Sequence, residues 1–133
     1  MDPTSTTIGA LLDRYDALLI DAYGVLVDAR GLLPGAAALL AELTRRQTPF
    51  AIVTNDASRS PATYAARFAA HGVSVAPERV VTSGSLLPGY FRERGLAGAR
   101  TCVLGTADSV AYVRQGGGVP IAPAPGRFVK VRV

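Results

Sequence analysis

Two short stretches hold the residues best suited to chemistry. In "LLIDAYGVLVD" (18 to 28) an aliphatic run delivers Asp21, and a turn follows at Tyr23-Gly24. In "AIVTNDASRS" (51 to 60) a second aliphatic run delivers Thr54, Asn55 and Asp56. A carboxylate at a strand end is either a surface or capping group or a nucleophile held out to a ligand. A hydroxyl and amide followed by Ser60-Pro61, a helix-start signature, place polar groups beside free backbone N–H groups that attract anions. If both runs end on the same edge of a parallel sheet, a carboxylate, a hydroxyl and a helix N-terminus meet in one crevice, which suits a phosphate ester.

The elements that would position these groups follow from the pattern of apolar residues. "DALLIDAYG" is continuously apolar up to Asp21, as a strand buried in a parallel sheet covered on both faces should be. "PGAAALLAELTRRQ" (34 to 47) predicts a helix with a starting proline and a basic last turn, where Arg45-Arg46 would favour the C-terminal dipole. "PFAIVTND" (49 to 56) predicts a second strand. "SRSPATYAARFAAHG" (58 to 72) predicts a helix capped by Ser60, begun at Pro61 and closed past His71 by Gly72. "RVVTSG" predicts a strand, "SLLPGYFRERG" a helix interrupted or started late by Pro88, and "RTCVLGT" a further strand with Cys102 buried in it. "ADSVAYVRQGGG" predicts a helix up to its glycines. The tail "VPIAPAPGRFVKVRV" predicts a loop through its prolines and then an alternating strand. Alternation of strand and helix predicts an α/β fold, a Rossmann-like three-layer sandwich with a mainly parallel sheet.

Composition narrows the function classes. The 133 residues are 49% hydrophobic and 18% charged, enough for a core and too apolar for disorder. The net charge of +4 comes from scattered arginines, with Lys130 the single lysine, so no basic stripe suggests nucleic acid. Tyr64, Phe68, Tyr90, Phe91 and Tyr112 fit helix packing better than base stacking. Cys102 is the only cysteine, which excludes an internal disulfide and leaves no Cys-His nucleophile with His71 at a helix end. No run approaches the ~20 apolar residues of a membrane span, and no secretory signal is visible, so a cytoplasmic protein without a membrane partner is the default expectation. "GGGVP" (116 to 120) follows a helix instead of opening one, which argues against a phosphate loop.

Together the two motifs resemble those of the haloacid dehalogenase-like (HAD) hydrolase superfamily. There the first strand ends in Asp-x-Asp-Gly and the second in Thr or Ser, often followed by Asn. "LLPGAAALLAELTRR", "NDASRS" and "VTSG" are similar to the subgroup of p-nitrophenyl-phosphatase-like and nucleotide-phosphatase-like members, and the likeness runs over about residues 14 to 115. Thirty-three positions separate Asp21 from Thr54, room for one helix and one strand and no cap domain. A cap would follow the second motif, as in that subgroup.

The resemblance implies a Mg²⁺-dependent phosphatase acting on a small phosphorylated substrate. Asp21 would be the nucleophile. Asp21 and the Tyr23 carbonyl would ligate Mg²⁺, Thr54 and Asn55 would hold the phosphoryl group, and Gly24 would join the phosphate site by permitting the tight turn that lets the loop close over the phosphate. Two positions depart from the pattern. Tyr23 stands where the family has its second aspartate, the general acid, and phenols ordinarily ionise near pH 10. Losing general acid catalysis typically costs on the order of 10²–10⁴-fold, so weak activity, or a non-catalytic phosphate-binding or interaction module, is the expected alternative. The later cation and acidic metal ligand are also missing. Asp108 in "GTADS" would serve as the metal ligand of a capless miniature, or that stretch is a helix cap and the chain is an amino-terminal portion. Residues 1–100 are then the core, and 101–133 begin a cap or supply the remaining core strands. An unfinished sheet edge predicts self-association.

Overall fold

A computed structural model describes residues 6–123, so the predicted final strand and Lys130 lie outside the described residues. Three strands, β1 (Leu18–Asp21), β4 (Phe50–Thr54) and β5 (Val80–Thr82), form a parallel sheet in the order β1-β4-β5. Leu18 pairs with Phe50, Asp21 with Val53, and Thr54 with Thr82. Helix α2 (Ala36–Arg45) links β1 to β4, and α3 (Pro61–Ala70) links β4 to β5. The α/β architecture and parallel sheet match the expectation.

Side chains alternate along these strands as a pleated sheet requires. Ile20, Ile52, Thr54 and Val80 face inward, and with Leu40, Leu43, Tyr64 and Phe68 they form one buried layer. Right-handed crossovers that advance in one direction put both helices on the same face. The opposite face carries Leu19, 80% exposed, with Val53 and Val81 at 39% and 36%. Coverage of both faces, the expectation for a parallel sheet, is therefore not met among the described residues.

The helix signals were read correctly with small shifts. Ser60 Oγ accepts from Thr63 N, Pro61 opens α3, His71 caps its end and Gly72 follows at φ +76°. α2 begins two residues after Pro34 because Gly35 sits at φ +85°, a left-handed value that a helix cannot continue from. Arg45 and Arg46 both bind Glu42, at 2.6 Å each, and Arg46 also reaches Asp13 at 2.6 Å. A side-chain cluster, rather than the dipole alone, thus explains the basic pair. Asp13 lies in α1 (Ile8–Arg14), a short helix capped by Thr7 that the sequence reading did not anticipate.

Beyond residue 82, a 3-10 turn (Ser83–Leu86) runs into α4 (Leu87–Glu93), with Pro88 in its first turn. Strand β6 (Arg100–Cys102), α5 (Ala107–Gln115) and β7 (Val119–Ile121) follow, and β6 pairs with β7 in a separate parallel ladder. β7 corrects the expected loop. Pro120 is accommodated because this two-stranded ladder leaves each strand an edge, where a missing N–H is tolerated. For the same reason Cys102, expected to be buried, is exposed.

Two of the three glycines at 116–118 have a packing role. A Cβ on Gly116 or Gly118 would come within 2.7 or 2.5 Å of Phe91, so α4 and β7 close on that ring only because both positions lack one. Phe91, Tyr112, Tyr64 and Phe68 are buried, as packing aromatics should be, while Tyr90 is half exposed.

Candidate active site

Asp21 and Thr54 end adjacent parallel strands, so both loops leave the same edge of the sheet. After Asp21 the chain folds back on itself. Leu26 N and Val27 N both donate to the Ala22 carbonyl at 2.9 Å, and Gly24 N donates to the Val27 carbonyl at 2.8 Å. Gly24 adopts φ +84°, which L side chains rarely do, and so lets the chain turn tightly here. Ala22 and Leu26 are fully buried and anchor the loop. A two-rung hairpin, β2 (Val27–Asp28) with β3 (Gly31–Leu32), follows and was not foreseen. Two-residue strands leave no period to read.

Asp21 is exposed, and its Oδ1 accepts from Ala22 N at 2.7 Å. Tyr23 is 64% exposed. Among the described residues no hydrogen bond engages Asp21 Oδ2 or the Tyr23 carbonyl. Two free oxygens, one anionic, on residues two apart in the same turn suit a hard cation that completes its shell with water and substrate oxygens. No cluster of three His, Cys, Asp or Glu side chains occurs among the described residues.

A cleft of about 520 Å³ opens beside these loops, lined by Tyr23, Thr54, Asn55, Arg59, Tyr64 and Arg67 among others. Thr54 is buried, and its Oγ1 accepts from Asp56 N at 3.3 Å. Asn55 is exposed, and its carbonyl accepts from Ser83 Oγ at 2.8 Å. Tyr23, Thr54 and Asn55 are thus brought together. Asp21 stands at the adjoining strand end and does not line this cleft, nor does Asp108.

Asp56 organises the loop. It accepts from Ser58 N at 2.7 Å, Ser58 Oγ at 2.6 Å, Arg59 at 2.7 Å and Tyr64 Oη at 3.0 Å. Partial burial opposes its ionisation, but these donors outweigh burial and hold the carboxyl well below the usual range. Burial, with the Asp56 charge nearby, pushes the Tyr64 phenol up. In "NDASRS" the local signal of this centre is an aspartate two residues before a serine and three before an arginine, which the apolar pattern alone does not reveal.

Asp108 lies in the first turn of α5, and its Oδ2 accepts from Ser60 N at 2.8 Å and Thr63 Oγ1 at 2.6 Å. Those bonds hold its carboxyl below the ordinary range. They also correct the expected helix N-terminal anion site: the start of α3 is already capped by Ser60 and Asp108. The N-terminus of α5 carries its own capping box, with Thr106 and Ser109.

A family model for haloacid dehalogenase-like hydrolases matches residues 18–118. The chain belongs to that family. Its fold superposes on a "possible sugar phosphatase" of Cytophaga hutchinsonii with TM-score 0.78 and 32% identity, covering 88% of this chain and 41% of that one. A glycerol phosphate phosphatase of Mycobacterium tuberculosis, solved with magnesium, gives TM-score 0.69 and 30% identity over 83% of this chain and 33% of its own. A 4-nitrophenylphosphatase of Thermotoga maritima, at 23% identity and TM-score 0.70, covers 90% of this chain and 49% of its own and shares the fold. The chain therefore spans less than half the length of these three structures. A search of the curated proteins finds no match. No helix among the described residues is long and apolar enough to cross a membrane.

Proposed function

We propose that this chain carries the nucleophile and phosphate-binding half of a Mg²⁺-assisted phosphomonoester hydrolase for a small metabolite. The observation that supports it most is the register: Asp21 pairs with Val53, one residue before Thr54, at a shared strand edge in a HAD-like fold. Asp21 and the Tyr23 carbonyl would hold the ion, whose chemistry is to neutralise phosphoryl charge. Thr54 and Asn55 would orient the phosphoryl oxygens. The Asp21 carboxylate oxygen then attacks phosphorus, the ester P–O bond breaks, and the leaving oxygen keeps the electron pair. Water next attacks phosphorus of the aspartyl-phosphate and loses its proton to solvent. The P–O bond to Asp21 breaks, releasing phosphate and restoring the carboxylate.

Tyr23 stands where a carboxylic acid would protonate the leaving group, so turnover by this chain is weak and favours leaving groups that depart as stable anions. The test is hydrolysis of an aryl phosphate with Mg²⁺ by the chain, Asp21→Asn and Tyr23→Asp. Turnover should vanish in Asp21→Asn, and with an alkyl phosphate in place of the aryl one, whose leaving oxygen needs a proton, Tyr23→Asp should raise it about 10²-fold or more. Equal turnover by the chain and Asp21→Asn would sink the nucleophile assignment. The exposed Tyr23 favours a second reading, a phosphate-binding module without turnover; orthophosphate binding with no hydrolysis in all three proteins would establish it.

A further inference from the structure

The charged groups lining the cleft differ in what already holds them. Asp28 is consumed by its hairpin, accepting from Arg30 N at 2.7 Å and Gly31 N at 3.2 Å, with the Arg30 side chain at 3.4 Å. Arg59 is committed to Asp56 at 2.7 Å. Arg67 also lines the cleft, and among the described residues it forms no ion pair. Its guanidinium lies over the Tyr64 ring, 5.8 Å from the centroid. Stacking on an aromatic face steadies a cation while leaving its donors unspent.

Placement indicates what those donors meet. Tyr64 reaches Asp56, two residues past Thr54, with its hydroxyl, while Arg67 stands over the ring. Tyr64 therefore lies against both the loop that follows the strand end and the guanidinium. Arg67 follows Pro61 by six residues, roughly 9 Å along the helix axis. Arg67 shares the cleft with Thr54 and Asn55, so a phosphoryl group held by those two leaves its guanidinium for another part of the same ester. A planar guanidinium in a half-open cleft matches a carboxylate with two parallel hydrogen bonds, and a neutral hydroxyl with far less.

We propose that Arg67 is a specificity residue that binds a second anionic group on the substrate, so that the preferred class is a phosphorylated hydroxy acid. The inference rests on the phosphate-site reading above. It is tested by calorimetric titration of the chain, Arg67→Met and Arg67→Lys in Mg²⁺ with orthophosphate, glycerol 3-phosphate and 3-phosphoglycerate. The two esters differ by an alcohol against a carboxylate. The chain should bind phosphoglycerate about tenfold more tightly than glycerol phosphate, the usual scale of one charged hydrogen-bonded contact. Arg67→Met should erase that preference and leave orthophosphate affinity unchanged, and Arg67→Lys should restore part of it. Equal binding of the two esters by the unaltered chain overturns the proposal alone. So does an equal loss for all three ligands in Arg67→Met, which would put the arginine on the phosphoryl group. If orthophosphate does not bind, the phosphate site itself falls, and this inference with it.

Discussion

Residues 22–26 and residues 55–60 leave neighbouring strand ends on one edge of the sheet, yet different forces hold them. The first loop is closed by backbone hydrogen bonds among residues 22–27 and one left-handed glycine. The second is held by side chains, many from far along the chain. Ser83 donates to the Asn55 carbonyl, Thr106 to Ser58, Ser109 to Ala57 and Tyr112 to Arg59. A backbone-closed loop carries its shape in its own few residues. A loop held from outside has that shape only when β5, the 3-10 turn and α5 are packed beneath it. The candidate nucleophile thus adjoins the self-sufficient loop, and of the candidate phosphate ligands Thr54 adjoins the dependent loop and Asn55 begins it.

The largest break in this contrast should come from Asp56→Ala, which strands donors on Ser58, Arg59 and Tyr64 at once. Its carboxyl is mostly buried, so a loss of about 2–3 kcal/mol is expected in urea unfolding. A loss under about 0.5 kcal/mol would mean that the network does not organise the loop. Gly24→Ala should cost somewhat less, about 1–2 kcal/mol, from backbone strain alone, because its Cβ would meet nothing within 4 Å. An unchanged thermal midpoint for Gly24→Ala would show that the first loop tolerates another shape. Tyr112→Phe should cost about 1 kcal/mol. It removes the hydroxyl that lies 2.9 Å from fully buried Thr82 Oγ1 and donates to the Arg59 carbonyl at 3.0 Å. Because that hydroxyl supports the second loop, Tyr112→Phe should also weaken orthophosphate binding.

The same contrast explains what could be read in advance. β1, β4 and β5 were legible because their apolar runs end abruptly in polar residues, and those endings are Asp21, Thr54 and Thr82 themselves. α3 was legible because Ser60, Pro61 and Gly72 are local signals acting on the backbone next to them. The Gly24 turn was legible for the same reason. Asp108 capping α3 was not, since its partners lie 48 and 45 residues away and no local pattern marks such a pair. Arg67 was passed over as one scattered arginine, because its lack of a carboxylate partner exists only in three dimensions. β7 was hidden by Pro120, whose tolerance depends on pairing with β6 alone.

The smallest effect expected near neutral pH, and the most diagnostic in acid, is the titration of Asp56. Its folded-state carboxyl ionises below the ordinary aspartate value near 3.9, so the folded state holds the charged form more tightly than the unfolded chain does. The resulting stability is fully present above that ordinary value and is lost as pH falls through it toward the lower folded value. Asp56→Asn cannot titrate at that position. The stability gap between the chain and Asp56→Asn should therefore stay constant from about pH 8 to about pH 5 and narrow steadily below about pH 4. Glu42, lowered to about 2 by hydrogen bonds from Arg45 and Arg46, titrates in both proteins and cancels from the difference. A gap that held constant down to about pH 2 in urea unfolding would show that Asp56 ionises alike in both states. The second loop would then owe its shape to the residues of α5 rather than to its own carboxylate.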